Sequence, residues 1–198
     1  MIVNPPNGFW TEHDLEPEMM IYLWSMIDKA QTDKRDTLIG HITSSLELPD
    51  TKGKLERLLV EKSKELPFMD KPDLRAESFW VNFQKKHEFN PIHNHSGLYS
   101  FNIFVKIPYD LKKEFDSPRT QNIEQRFPGC FSFYCGNGLG EFVPHVIEAD
   151  KEWEQVIILF PSITQHCVYP FYTSDDYRIT VSGNLYLNPV TQSSVSYY

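Results

Sequence analysis

Four residues between positions 93 and 178 have the types and spacing of a metal and anion site. His93 and His95 are one residue apart, and His166 and Arg178 follow much further along the chain. Side chains two positions apart on an extended strand point the same way, so His93 and His95 suit two bonds to one ion. Only a folded sheet brings His166 to them. The pattern predicts one metal centre with a basic group nearby.

The strand predicted from Arg178 onward has one polar face. Arg178, Thr180, Ser182 and Asn184 alternate with residues that are apolar except for Gly183. Such a row either faces water on an outer sheet or lines a cavity. In a cavity, Arg178 with Thr180 suits a carboxylate, because the guanidinium fork offers two parallel charge-assisted hydrogen bonds.

Composition limits the classes of protein to consider. The length of 198 residues, 40% of them apolar, fits one domain with its own core. The net charge of -8 argues against a nucleic-acid partner. Three cysteines without zinc-ribbon spacing favour a reducing, cytoplasmic location. The apolar runs, such as Val156 to Phe160, are too short to span a bilayer.

Two helices are predicted before residue 75. Apolar residues recur at helical spacing in Glu16 to Ala30, and again in Thr51 to Leu66, with Asp50 as a candidate N-cap. A short strand is expected between them, around Ile39 to Leu48. Residues 1–75 are therefore interpreted as a helical layer.

From Ser78 onward the pattern changes to short β-branched and aromatic runs separated by Gly, Pro and Asn. Many short strands without long helices between them predict a mainly β sandwich or barrel, with the N-terminal helices packed on its outer face. Residues 76–190 form this core, 191–198 a polar tail, and 1–198 a single domain. The predicted strands are Phe79 to Gln84, Gly97 to Ile107, Gly129 to Cys135, Gln155 to Phe160, His166 to Pro170 and Arg178 to Tyr186.

The motifs, taken in order, resemble a known family. They are His-x-His, Ser-Gly-x-Tyr, Leu-Phe-Pro-Ser before a distal histidine, and Arg-Ile-Thr-Val-Ser-Gly-Asn, together covering about Phe79 to Leu187. This order resembles the 2-oxoglutarate-Fe(II) oxygenases, in particular a compact His-x-His subgroup found in bacteria and tailed phages. The resemblance implies a double-stranded β-helix, or jelly-roll, with iron near its open end, and a host-cytoplasmic protein if the gene is a phage's.

The resemblance also implies roles for individual residues. His93 matches the proximal histidine ligand, His166 the distal one, and Arg178, accompanied by Thr180, the residue that binds the far carboxylate of 2-oxoglutarate. His95 falls where most of the superfamily has a carboxylate, and if it turns away, an oxygen ligand comes from another residue. The oxygen candidates are Asp110, Asp116 and Glu141, and the candidate secondary contacts to 2-oxoglutarate are Asn102 and Tyr99.

The implied activity is that of an Fe(II)- and 2-oxoglutarate-dependent dioxygenase, a hydroxylase that consumes O2 and couples decarboxylation of 2-oxoglutarate to oxidation of a small-molecule or peptide substrate. Two alternatives stay open. A cupin-type metalloenzyme also uses His-x-His with a distant histidine but does not need Arg178. A non-catalytic jelly-roll module needs no metal. The sequence fixes neither the substrate nor the oligomeric state.

Overall fold

The computed structural model describes residues 1–3, 5, 8–67 and 72–189. This part of the chain consists mainly of short antiparallel strands, with two longer helices before the main run of strands. The strands are β1 Ile2–Val3, β2 Trp10–Asp14, β3 Ser45–Glu47, β4 Leu74–Gln84, β5 Asn90–His93, β6 Tyr99–Lys106, β7 Phe131–Gly136, β8 Phe142–Ile147, β9 Val156–Pro161, β10 Gln165–Val168 and β11 Arg178–Leu187. The helices are α1 Pro17–Ile27, α2 Lys54–Ser63 and α3 Leu111–Phe115.

The strands form two sheets. The larger has seven strands in the order β1-β2-β9-β6-β11-β4-β3, and the smaller has four in the order β5-β10-β7-β8. All their pairings are antiparallel, and most neighbours in the sheets are distant in sequence. Long connections between antiparallel strands are typical of a jelly-roll.

Two apolar clusters hold the layers together. One lies between the sheets, where Phe104 and Phe160 of the larger sheet pack with Phe131 and Phe133 of the smaller. The other covers the opposite face of the larger sheet. There Leu23 and other residues of α1 and α2 pack on every second residue of the strands. The prediction of N-terminal helices on the outer face is therefore confirmed.

The six predicted strands are all present, with ends shifted by a few residues. The short strand expected around Ile39 to Leu48 is β3. The sequence patterns did not predict β1, β2, β5 or β8, because these strands are very short or, like β8, lie exposed at a sheet edge without a clear apolar alternation. Residues 1–75 therefore contribute three strands to the larger sheet as well as two helices.

Helix α2 begins at Lys54, three residues later than predicted, and its N-cap residue is Gly53 rather than Asp50. The Asp50 carboxylate nevertheless accepts hydrogen bonds from the amides of Lys54 and Glu56. It therefore stabilises the first turn from a more distant position than a standard cap.

The predicted tail, 191–198, lies outside the described residues, and the single-domain organisation stays a prediction. Among the helices in the described ranges, none has the length and apolar character needed to cross a membrane.

Candidate metal and anion site

Three histidines meet at one end of the space between the sheets. His93 ends β5 and lies directly opposite His166 of β10 across the ladder. The ring centroids are 4.2 Å apart for His93 and His166, 4.9 Å for His93 and His95, and 5.0 Å for His95 and His166. One ligand nitrogen from each ring lies within 4.8 Å of the other two. This spacing can accommodate a single transition-metal ion.

Two of the rings have their orientation set by backbone carbonyls. The Nδ1 atom of His93 is 2.7 Å from the Pro91 oxygen, and Nδ1 of His166 is 2.9 Å from the Thr164 oxygen. Because a carbonyl oxygen only accepts, each Nδ1 must carry the proton and donate it. The lone pair of each Nε2 is then available to a metal, which is the usual arrangement around ligating histidines.

His95 reaches the cluster by a different route from the one predicted. Strand β5 ends at His93, so His95 does not share a strand face with it. The His95 amide instead donates to the Ser162 carbonyl at 2.9 Å, which ties this loop to the end of β9. The His95 ring lies 5.8 Å from Trp80. A loop held by a distant strand, rather than strand alternation, brings the third ring into place.

Burial keeps the three imidazoles neutral. It lowers the pKa of His93, lowers that of His95 to about 4, and lowers that of His166 well below its usual range. Repulsion between the neighbouring rings acts in the same direction for His95 and His166. Neutral rings present lone pairs without competition from protons, which favours metal binding near neutral pH.

The polar face of β11 lines the same cavity as the histidines. Arg178, Thr180 and Ser182 are among its lining residues, and the cavity encloses about 140 Å³. The other face of β11, with Ile179, Val181 and Leu185, packs in the apolar cluster under the helices. Of the two interpretations of the polar row, the structure supports the cavity lining for these three residues.

The guanidinium of Arg178 is not an open fork. The residue is 2% exposed, and four of its N–H groups bond to other described residues. Nε and Nη2 donate to Gln84 Oε1 at 3.1 and 2.6 Å, and Nη1 donates to the Tyr109 hydroxyl at 2.8 Å and the Gly129 carbonyl at 2.6 Å. Because an arginine has five such donors, one on Nη2 is left for a ligand. The expectation of two parallel bonds from an open fork is therefore corrected to one bond plus the charge.

That charge has no ion-pair partner in the described part of the chain, and the buried Glu114 carboxylate, which acts on the neighbouring Tyr109, is bonded to the amides of Tyr172 and Thr173 instead. None of the ion pairs found there includes Arg178, and the cavity lining contains no Asp or Glu. A buried cation without a counter-ion costs several kcal/mol, on the order of the penalty for desolvating an ion. The arrangement favours binding of an anion in this cavity.

The remaining candidates divide between the cavity and other places. Asn102 lines the cavity, accepts a bond from Ser182, and its Nδ2 is buried without a partner among the described residues. Tyr99 is three positions away on β6 and packs instead in the apolar cluster under the helices. The structure does not bring Tyr99 to the cavity lining.

The three alternative oxygen ligands are also elsewhere. Asp110 caps α3 through the amides of Lys112 and Lys113. Asp116 is exposed just after α3, and Glu141 is exposed and bonded to Asn137. The described residues therefore form a cluster of three imidazoles and no carboxylate.

Comparison with known proteins identifies the family. Residues 78–184, just over half of the chain, match the family model described as "Putative 2OG-Fe(II) oxygenase". The chain belongs to this family. No curated protein matches the chain by sequence.

Solved structures of such enzymes share the fold at low sequence identity. A prolyl-4-hydroxylase from Pseudomonas putida has a TM-score of 0.55 and 11% identity, with 91% of this chain and 93% of that chain covered. A 2OG-Fe(II) oxygenase family oxidoreductase from Burkholderia pseudomallei has a TM-score of 0.58 and 12% identity, with 89% and 84% covered. HygX from Streptomyces hygroscopicus, solved with nickel, 2-oxoglutarate and hygromycin B, has a TM-score of 0.50 and 10% identity, with 90% and 83% covered. The double-stranded β-helix fold is confirmed.

Family membership makes the chain an oxidoreductase of the iron, 2-oxoglutarate and O2 type. The residues of the cavity fit these groups. Imidazole nitrogens with free lone pairs suit iron, and a buried, uncompensated arginine suits a dicarboxylate.

Sequence reasoning missed several residues at this site. Gln84, Tyr109 and Gly129 surround Arg178, and a segment that includes Leu38 and Ile42 borders the cavity. Gln84 stands at the end of a predicted strand, which is a weak signal. Nothing local connects it to an arginine 94 positions away.

Proposed function

We propose that the protein is a 2-oxoglutarate- and Fe(II)-dependent hydroxylase with a three-histidine metal site. His93, His95 and His166 hold the metal on one face, so that positions stay open for the cosubstrate and O2. The observation that carries the proposal is the placement of Arg178. Arg178 is a buried cation without an ion-pair partner among the described residues, and it lines the same cavity as the histidines, so a dicarboxylate can bind to Arg178 and to the metal.

Arg178 and Thr180 are the proposed partners of the far carboxylate. The remaining Nη2 hydrogen of Arg178 gives one charge-assisted bond, and the hydroxyl of Thr180, which lines the same cavity, can give a second. Asn102 is the proposed further contact, because its buried Nδ2 otherwise lacks an acceptor among the described residues. An unmet donor of this kind is stabilised when a ligand oxygen reaches it.

Iron, 2-oxoglutarate and O2, when bound, would supply the oxidising power, because O2 is reduced while 2-oxoglutarate is oxidatively decarboxylated to succinate and CO2. The chain orients the metal ligands and surrounds the metal site with apolar side chains. Phe131 stacks on His166 with a centroid distance of 5.4 Å and 11° between the planes, and Phe160 lies 4.9 Å from the same ring. These rings exclude water and hold the distal histidine in one orientation.

His95 in place of a carboxylate leaves one more positive charge at the metal. A neutral ligand does not offset the charge of Fe(II), whereas an aspartate does. We propose that the site compensates with the dianionic cosubstrate, which meets positive charge at both ends.

The substrate is proposed to be a small molecule or a peptide. Apart from Arg178, the described residues that line the cavity include no formally charged one when the histidines are neutral, and the border includes Leu38, Ile39 and Ile42. An uncharged border suits a neutral substrate better than a polyanion. Together with the net charge of -8, it supports the proposal that nucleic acid is not a partner. The three cysteines are free, which supports a cytoplasmic location.

The proposal is tested by anaerobic titration with Fe(II) and then 2-oxoglutarate, with detection of the weak visible metal-to-ligand charge-transfer band. The expected result is a band in the wild-type protein that is absent from both Arg178→Ala and His166→Ala. Iron binding without a band would favour the cupin-type alternative. Failure to bind iron would leave a jelly-roll module without this activity.

A further inference from the structure

Gln84 lies directly opposite Arg178 at the point where β4 and β11 pair. It is 3% exposed, and its Oε1 accepts from both Nε and Nη2 of Arg178. One amide oxygen therefore holds the side of the guanidinium where a carboxylate would ordinarily bind with two oxygens.

The orientation of this amide is fixed by a second contact. Gln84 Nε2 donates to the Glu88 carbonyl at 2.6 Å. Because that carbonyl only accepts, the nitrogen of Gln84 must face it and the oxygen must face Arg178. The carboxylate of Glu88 is itself bonded to the amides of Thr43 and Lys85. The nearby acid is thus used by the backbone and not by the arginine.

The other two partners of Arg178 are also neutral. The Tyr109 hydroxyl donates to the Gly129 carbonyl at 2.6 Å and accepts from Arg178. Burial raises the pKa of Tyr109 despite the nearby guanidinium, so the phenol keeps its proton. Gly129 has φ +76°, and a Cβ there would lie 2.7 Å from the Tyr109 ring. A glycine is needed for this close approach.

We infer that Gln84 is a positioning residue that keeps Arg178 in place without neutralising it, so that the charge stays available to the far carboxylate of 2-oxoglutarate. This inference rests on the proposed function. A glutamate at position 84 has nearly the same shape and would form an ion pair with Arg178. That ion pair would compete with the cosubstrate for the charge of Arg178. It would also replace the Nε2 donor by an oxygen that faces the Glu88 carbonyl, so we expect little net change in the stability of the apo protein.

The test compares Gln84→Glu with Asn82→Asp. Asn82 lies two residues earlier on β4, lines the same cavity and is bonded to Ser45 rather than to Arg178. The control therefore adds the same charge to the same wall without touching the arginine. Three quantities are measured for each variant. They are the Fe(II) affinity, the 2-oxoglutarate affinity of the Fe(II)-loaded protein under anaerobic conditions, and the melting temperature without ligand.

For Gln84→Glu we expect the dissociation constant for 2-oxoglutarate to rise at least about 30-fold, with Fe(II) affinity within about threefold of wild type. The melting temperature without ligand should stay within about 3 °C of wild type, because the ion pair with Arg178 offsets the lost hydrogen bond to the Glu88 carbonyl. Asn82→Asp should weaken 2-oxoglutarate binding far less and should not raise the melting temperature. A residue with only a structural role would not give a large loss of 2-oxoglutarate affinity while stability and Fe(II) affinity stay unchanged.

Three results would overturn the inference. One is 2-oxoglutarate binding by Gln84→Glu within threefold of wild type, and another is an equal loss in Asn82→Asp. If Gln84→Glu does not fold, Gln84→Met replaces it, and unchanged 2-oxoglutarate binding in that variant has the same meaning. A wild-type protein that binds iron but no 2-oxoglutarate is a separate outcome, because it removes the proposed function and the inference with it.

Discussion

The three-histidine cluster and Arg178 line one cavity, but their side chains are held for ligand binding in different ways. His93 and His166 each use one ring nitrogen for a backbone carbonyl and keep the other for a ligand. Arg178 uses four of its N–H groups within the described protein and keeps mainly its charge. Metal coordination needs lone pairs at fixed positions, whereas anion binding at this site depends more on an uncompensated charge than on free donors.

Replacement of His166 should give the largest effect, a loss of Fe(II) affinity. His166→Ala should reduce Fe(II) affinity by roughly 100-fold or more, because one of only three imidazole ligands is lost and, in structural zinc sites, a few such ligands together supply about 10–16 kcal/mol. Calorimetric titration with Fe(II) under anaerobic conditions measures this loss. His41→Ala is the matched control, since His41 is exposed and lies outside the cluster. An unchanged affinity in His166→Ala would contradict the proposed metal centre.

Replacement of Arg178 should weaken 2-oxoglutarate binding and leave Fe(II) binding nearly unchanged. Arg178→Met should weaken 2-oxoglutarate binding by about 100-fold, corresponding to the roughly 2–5 kcal/mol lost when one member of a buried charge pair is removed. Fe(II) affinity should stay within about threefold of wild type. Titration of the charge-transfer band measures 2-oxoglutarate binding, and Fe(II) calorimetry measures metal binding. Equal losses of iron and 2-oxoglutarate would show that the two centres are not independent.

The opposite face of β11 should affect stability and not binding. A Cβ at Gly183 would lie 2.6 Å from the Ser78 carbonyl and 2.8 Å from the rings of Phe79 and Phe101. Gly183→Ala should therefore lower the free energy of unfolding by about 1–3 kcal/mol through overpacking. Denaturant unfolding measures the change.

Gly138→Ala is the control for this variant, because a Cβ at Gly138 would have no atom of the described residues within 4 Å. Both folded variants should bind Fe(II) like the wild type. A selective loss of Fe(II) affinity in Gly183→Ala would mean that the apolar face also positions the histidines.

Metal binding should stabilise the fold by a smaller, predictable amount. At an Fe(II) concentration 100 times the dissociation constant, the gain should be about 2.7 kcal/mol. The melting temperature should rise by about 5–10 °C in a chain of this size. Thermal unfolding under anaerobic conditions should show this rise in the wild type and in Arg178→Met, and not in His166→Ala. A rise in all three proteins would indicate metal binding elsewhere.

Much of the candidate site could be predicted from local pattern. The spacing of His93 and His95 and the polar row after Arg178 are visible in the chain itself. Local pattern does not predict a position that depends on a distant partner. His95 owes its place to Ser162, and Tyr99 was grouped with Asn102 although the two lie on opposite faces of β6.

By itself, the sequence determined the identity of the chemical groups and the alternation that puts Arg178, Thr180 and Ser182 on one strand face. Only the tertiary structure decided that this face lines a cavity, because alternation defines two faces but not which of them another sheet covers. The tertiary structure also decided which groups accept hydrogen bonds from Arg178. Gln84 and Gly129 lie 94 and 49 positions from Arg178 in the chain, and strand register together with chain packing brings them into contact.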